Sequence, residues 1–299
     1  MTSKSGPAAR QAAAPLSCGC APVQKRHVFI TPYYQEDRRL IERCIRSVQS
    51  QDPPADHMLV ADGHPQRWLD SEPVRHIVLD KSHGDFGNAA RGTGGLLAAS
   101  EGCDGIGFLD ADNWLEKNHL STCLEEAQQI QDCDFVIARR NWRRPDGTLL
   151  RAPDEPIPLH VDTNCLYLLP GSFHVIPYFA LIPSPLAAIG DRIFYAALKH
   201  AGLKATLVQT KTVNYQCLWA PVYAGVGELP PDGAKPEVDP DLFERWRKQQ
   251  NARGLEIASR CSGLPFAARR GNGSFTLFIP LVTNGEGCQA SLPTEPKAV

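Results

Sequence analysis

Residues 27–51 read HVFITPYYQEDRRLIERCIRSVQSQ, and the order of apolar and polar positions in this stretch decides the fold class. Val28-Phe29-Ile30 is a short apolar run closed by Thr31-Pro32, the pattern of a buried strand. Leu40, Ile41, Cys44, Ile45 and Val48 then fall on one stripe of a helix, which Asp52-Pro53-Pro54 ends. The alternation continues outward. Next come His57–Val60, ended by Ala61-Asp62-Gly63, and then Val74–Leu79, ended by Asp80. Asn88–Ser100 reads as a helix, Ile106–Leu109 as a strand ended by Asp110, Leu115–Ile130 as a helix and Asp134–Ala138 as a strand. Alternating strands and helices, with strands apolar on both faces, predict an α/β sandwich around a mostly parallel sheet.

Beyond Trp142 the pattern loosens. A strand is expected near Cys165–Leu169, a helix over Asp191–Ala201, a strand over Thr206–Val213 and a helix over Asp241–Gln250. Residues 1–26 read as a disordered arm and 261–299 as a loop-rich tail. Between them the main domain spans 27–215, in halves 27–140 and 141–215, followed by a helical extension over 216–260.

The chain of 299 residues carries 31 Lys+Arg against 33 Asp+Glu, a formal net charge of −2. That balance excludes general nucleic-acid binding, which requires a strongly basic surface. No transmembrane segment is expected. The most apolar stretch, Val175–Gly190, is short and broken by Pro177, Pro183 and Pro185. A secretory h-region is absent from the first residues, and Pro15-Leu16-Ser17-Cys18 is a poor lipoprotein signal without one. The expected location is the cytoplasm, with peripheral membrane association left open. Ten scattered cysteines in a chain this long are expected to be reduced thiols. His119 and Cys123 are spaced to face one side of a helix, but no second pair completes a zinc site.

The acids are the informative feature. Asp62, Asp110 and Asp112 all follow predicted strands, the edge at which open α/β sheets bind ligands. In Asp110-Ala111-Asp112-Asn113 two carboxylates lie two residues apart, hard oxygen donors suited to Mg²⁺ or Mn²⁺ and a substrate phosphate. The same residues would also serve to cap a helix starting near Leu115.

In combination these segments resemble the family 2 glycosyltransferases of GT-A fold. The resemblance rests on four ordered landmarks over about residues 27–140: the strand, aromatic loop and helix of 27–51, the Asp62-Gly63 turn, the helix of ARGTGGLLAAS from Ala90, and the strand FLDADN ending in D-x-D. It implies a Rossmann-like nucleotide-binding half and an acceptor half. It further implies hexosyl transfer from a nucleotide-sugar, a UDP-sugar being the favoured donor, to a glycan, lipid-linked or small-molecule hydroxyl, with inversion. Thr31, Pro32 and Tyr33 would hold base and ribose, and Asp62 the base edge. Arg91 would approach the diphosphate, as a forked, permanently charged donor suits phosphate oxygens. Asp110 would reach ribose or metal, and Asp112 would be the main ligand of Mn²⁺ or Mg²⁺.

Inversion also requires a base for the acceptor hydroxyl. Gly190-Asp191-Arg192-Ile193 is similar to the family's acid opening a helix, so Asp191 is the expected catalytic base, with helix capping its competing role. Leu159–Asn164 is similar to the strand preceding that base, which makes His160 and Asp162 candidates for touching sugar or acceptor. Trp114 is a candidate for stacking on a sugar face. The Gln-x-x-Arg-Trp motif of polymer-forming relatives is absent, since Glu244-Arg245-Trp246 lacks its preceding residues. Gly92-Thr93-Gly94-Gly95 does not follow the first strand and lacks the third glycine of a dinucleotide fingerprint. Asp85-Phe86-Gly87 matches a kinase triplet by letters alone. A nucleotidyltransferase, lacking here its Gly-rich phosphate loop after the first strand, and a non-catalytic nucleotide-sugar-binding protein are the alternatives.

Overall fold

The computed structural model describes residues 25–154 and 160–266, so most of the expected arm and tail lie outside the described residues. The first half alternates as its sequence pattern requires: β1 (His27–Tyr33), α1 (Arg38–Gln49), β2 (Asp56–Ala61), β3 (Arg75–Val78), α2 (Asn88–Ser100) and β4 (Gly105–Phe108). Then follow β5 (Trp114–Leu115), α3 (His119–Ala127), β6 (Phe135–Arg143), β7 (Leu166–Leu168), α4 (Pro177–Ala180), α5 (Gly190–His200), β8 (Ala205–Gln216), α6 (Ala220–Gly225), α7 (Leu242–Gln249) and α8 (Ala252–Ser262).

One mixed sheet runs β3-β2-β1-β4-β7-β6-β8-β5. β3, β2, β1 and β4 are mutually parallel, β7 is antiparallel to both its neighbours, β8 is parallel to β6, and β5 closes the edge antiparallel to β8. Parallel register brings the carboxyl ends of β1, β2 and β4 to one edge, with Tyr33 beside Ala61, so Asp62 and Asp110 emerge together.

α1 buries Ile41, Cys44, Ile45 and Val48, the apolar stripe of its sequence, and Asp37 caps it through the Arg39 N–H at 2.8 Å. The glycines of α2 serve close packing. A Cβ on Gly94 would come within 2.7 Å of Ile30, and one on Gly95 within 2.8 Å of Ile176, so α2 lies pressed between the sheet and the segment leading into α4.

Two expectations need correction. Leu115–Ile130 is not one helix: Trp114 and Leu115 pair with Asn214 and Val213, and α3 begins only at His119. The long β8 offers backbone partners there, which propensity alone does not register. β6 and β8 also outrun their apolar runs. Past Ala138, β6 alternates buried and half-buried side chains through Arg143, a period-two pattern with one polar face.

Past residue 216, Cys217 and Tyr223 join Trp142 and Leu150 in a small separate cluster, while α7 and α8 pack on the main core. Phe243 and Trp246 of α7 pack with Phe266 at centroid separations of 5.3–6.0 Å. Trp246 is therefore a core residue. The seven described cysteines are unbridged. Buried His119 is satisfied by Thr212 at 2.8 Å, and no cluster of three metal-ligating side chains occurs among the described residues. No described helix is long and apolar enough to cross a membrane.

Candidate active site

A cleft of about 420 Å³ opens at the carboxyl edge of β1, β2 and β4 and extends over β6 and β8. Pro32, Tyr33, Asp62, Arg91, Asp110, Asp112 and Asp191 all line it. Thr31 does not. It is fully buried, and its hydroxyl meets His57 Nε2 at 2.8 Å and Cys44 Sγ at 3.5 Å. Thr31 is thus packed between β2 and α1, two residues short of the strand end, and the side chain expected to contact the nucleotide is not part of the cleft lining.

Asp62 is committed to the loop after β3. Its carboxylate accepts the His83 N–H at 2.9 Å, the His83 ring at 2.8 Å and the Gly84 N–H at 3.2 Å. Burial works to raise its pKa, but these hydrogen bonds prevail and hold it below the usual carboxylate value. The loop itself is tightly turned: Gly84, Phe86 and Gly87 all have positive φ. Phe86 is exposed at the cleft mouth, and its carbonyl accepts the Arg91 Nη1–H at 2.8 Å. Asp85, the first letter of the kinase-like triplet, caps α2 through the Ala89 N–H at 2.8 Å.

Arg91 is buried at the cleft floor, where burial disfavours its charge and the ion pair with Asp110 restores it. Asp110 is held on its other side by Asn164, whose amide also binds Asp162 at 2.7 Å. Asp162 pairs with Arg140 at 2.6 Å, and Arg140 lies over the rings of Trp142 and Tyr215. The ends of β4 and β6 are thus joined by one polar chain.

Asp112 is different. Its backbone carbonyl accepts from Arg43 at 2.6 Å, while its carboxylate accepts no hydrogen bond from another residue among the described residues. Burial and the neighbouring Asp110 charge push it up to about 7. Since α3 begins at His119 with Asn118 at its cap position, Asp112 is not a helix cap. Asp110 is neutralised by Arg91, whereas the half-buried Asp112 beside it has no cation bonded to its carboxylate among the described residues and fits a hard divalent cation. Asp112 is the free donor, while Asp110 spends both oxygens on Arg91 and Asn164.

Asp191 lies inside the first turn of α5, one residue past the helix start, and its Oδ1 accepts the N–H of Arg192 at 2.7 Å. His160 Nε2 meets its Oδ2 at 2.6 Å. Burial would raise the carboxyl, but His160 and Arg192 hold it down at about 2.

Several cleft residues escaped the sequence reading. Arg140 and Tyr215 lie on β6 and β8, where period-two alternation was the available signal. Trp219 and Lys235, joined by an isolated parallel bridge, carried none. Trp114, the expected sugar-stacking residue, is instead covered by the Arg43 guanidinium at 3.8 Å, and does not line the cleft.

The family model described as glycosyl transferase family 2 matches residues 28–189, more than half of the chain. No curated protein matches significantly. Among solved structures, S. aureus TarS 1–349 aligns at TM-score 0.51 and 12% identity, over 79% of this chain and 70% of that one. The same protein in complex with UDP aligns at TM-score 0.50 and 12% identity, over 83% and 74%. At that identity the likeness speaks for the fold. The family match runs from β1 to the threshold of α5. This chain belongs to glycosyl transferase family 2 and is a nucleotide-sugar-dependent glycosyltransferase.

Proposed function

We propose that the donor is a UDP-sugar, that a divalent cation is held by Asp112 with Asp110, and that the sugar passes with inversion to a hydroxyl acceptor deprotonated by Asp191. The observation that carries this reading is Asp112, a carboxylate that accepts no hydrogen bond from another of the described residues, in the cleft that Arg91 and Asp191 also line. The UDP complex of the fold relative supports the choice of nucleotide.

The cation, when bound, supplies electrostatic neutralisation of the diphosphate leaving group. The remaining work falls to the chain. Pro32 and Tyr33 bound the base and ribose end, and Asp62 keeps the 82–84 loop closed against it. Arg91 presents positive charge from the cleft floor. The acceptor oxygen forms its bond to the anomeric carbon as the bond to the diphosphate breaks, and the electron pair leaves with the nucleoside diphosphate. The hydroxyl proton goes to Asp191, ionised at neutral pH.

Calorimetric titration with UDP, GDP, CMP and dTDP, each with Mn²⁺ and with EDTA, tests the donor site on wild type and Asp112→Ala. Metal-dependent binding of UDP, lost in the variant, is the expected result. Binding of another nucleotide reassigns the donor, and no binding with metal overturns the site.

A further inference from the structure

Asp191 is held by two hydrogen bonds of different origin. The bond from the Arg192 N–H is local to the helix turn and holds one carboxylate oxygen, Oδ1. The bond to His160 Nε2 comes from 31 residues away and fixes the plane. His160 is itself on a firmly seated stretch. The next residue, Val161, is buried in the main core. Asp162 follows, bound to Arg140 at 2.6 Å and to the Asn164 N–H at 2.9 Å. The imidazole is therefore carried on backbone tied to Asp110 through Asn164, and both His160 and Asp191 face the cleft.

We propose that His160 is a positioning residue for the transfer step: by donating Nε2–H to Asp191 Oδ2 it holds the carboxylate at one angle to the acceptor hydroxyl. Each carboxylate oxygen has more than one lone pair, so both hydrogen bonds leave acceptor capacity facing the cleft. The donor is a ring nitrogen bearing hydrogen, so the pair works with the Nε2–H tautomer or with the imidazolium. A fixed angle matters because misplacing a reacting group by about 1 Å costs on the order of 10²-fold in rate. His160 touches neither donor nor acceptor in this role. The proposal rests on Asp191 being the base, and its test separates the two.

The experiment is steady-state transfer from UDP-sugar by wild type, Asp191→Asn, His160→Ala and His160→Gln, with UDP affinity and melting temperature measured for each. The base reading predicts that Asp191→Asn loses about 10²–10⁴-fold in kcat while still binding UDP. The positioning role predicts that His160→Ala loses up to about 10²-fold in kcat with donor KM unchanged. His160→Gln, whose amide offers an N–H at a similar reach, should recover much of that loss. Added imidazole should partly restore His160→Ala. Wild-type kcat in His160→Ala, beside an inactive Asp191→Asn, overturns the positioning role and leaves the base reading standing. Equal losses in His160→Ala and His160→Gln, with no imidazole rescue, also overturn it, assigning His160 a structural role. An active Asp191→Asn overturns both.

Discussion

Asn164 clasps Asp110 at both ends: its Oδ1 accepts the Asp110 backbone N–H at 2.6 Å, and its Nδ2 donates to Asp110 Oδ2 at 2.9 Å. The two are 54 residues apart, so this amide locks the end of β4 to the turn preceding β7. Asn164→Asp replaces the amide donor with a carboxylate set against Asp110 and Asp162. We expect a loss of roughly 1–3 kcal/mol in urea denaturation near neutral pH, the cost of leaving buried partners unsatisfied. Unchanged stability would mean that the clasp contributes nothing to the folded state.

Asp112 makes the stability of the metal-free protein depend on pH in a defined direction. Its folded pKa of about 7 lies above the ordinary 3.8, so between these values the folded state binds more protons than the unfolded chain. Stability from this group is therefore present at low pH and is lost as pH rises through about 7. Asp112→Asn should melt above wild type in EDTA at mildly alkaline pH, with the difference closing in mild acid. Mn²⁺ should raise the melting temperature of wild type alone. Parallel melting curves for the two proteins across pH would contradict the assignment.

Thr31 provides a control that separates folding from donor binding. Its hydroxyl is the partner of the buried His57 Nε2, and burial holds that ring neutral with a pKa of about 3. Thr31→Val keeps the shape and removes the hydrogen bond, which should cost about 1–3 kcal/mol of stability. UDP affinity of the folded variant should match wild type. A selective loss of nucleotide binding would return Thr31 to the donor site.

Gly63 tests the loop that Asp62 holds. Its φ is +75°, and a Cβ there would meet the Ser82 backbone nitrogen at 2.2 Å. Gly63→Ala must therefore displace either the turn or the 82–84 loop. We expect destabilisation on the order of 1–3 kcal/mol, the usual range for a strained backbone position. Nucleotide affinity should weaken as well, read by calorimetry at a temperature where the variant stays folded. Full affinity in a destabilised variant would show that the loop does not shape the donor cleft.

The first half was legible because its determinants are local. β1, β2 and β4 carry short apolar runs, and Asp62 and Asp110 come one and two residues past their strands, so position in sequence is position at the sheet edge. The second half was not. Arg140, Trp142 and Tyr215 lie on strands whose polar face interrupts any apolar run, and the run of polar residues past Ala138 reads as loop until a partner strand is known. Trp114 and Trp219 illustrate the same limit. Both are tryptophans near polar residues, and only the pairing of β5 with β8 turns one toward Arg43 while the other reaches the cleft.

The sequence by itself determined the alternating fold, the sheet edge at which the cleft opens, and the resemblance from which the family membership was expected, because hydrophobic periodicity and strand-end acids are properties of neighbouring residues. Tertiary structure decided how the acids differ. Asp62, Asp110 and Asp112 are equivalent as letters. Yet the first is tied to a loop, the second is clasped between Arg91 and Asn164, and the third has no hydrogen-bond donor to its carboxylate among the described residues. A carboxylate's charge state and freedom depend on what surrounds it in space, and those surroundings come from distant parts of the chain, 54 positions away for Asp110 and Asn164 and further still for Asp112 and Lys235.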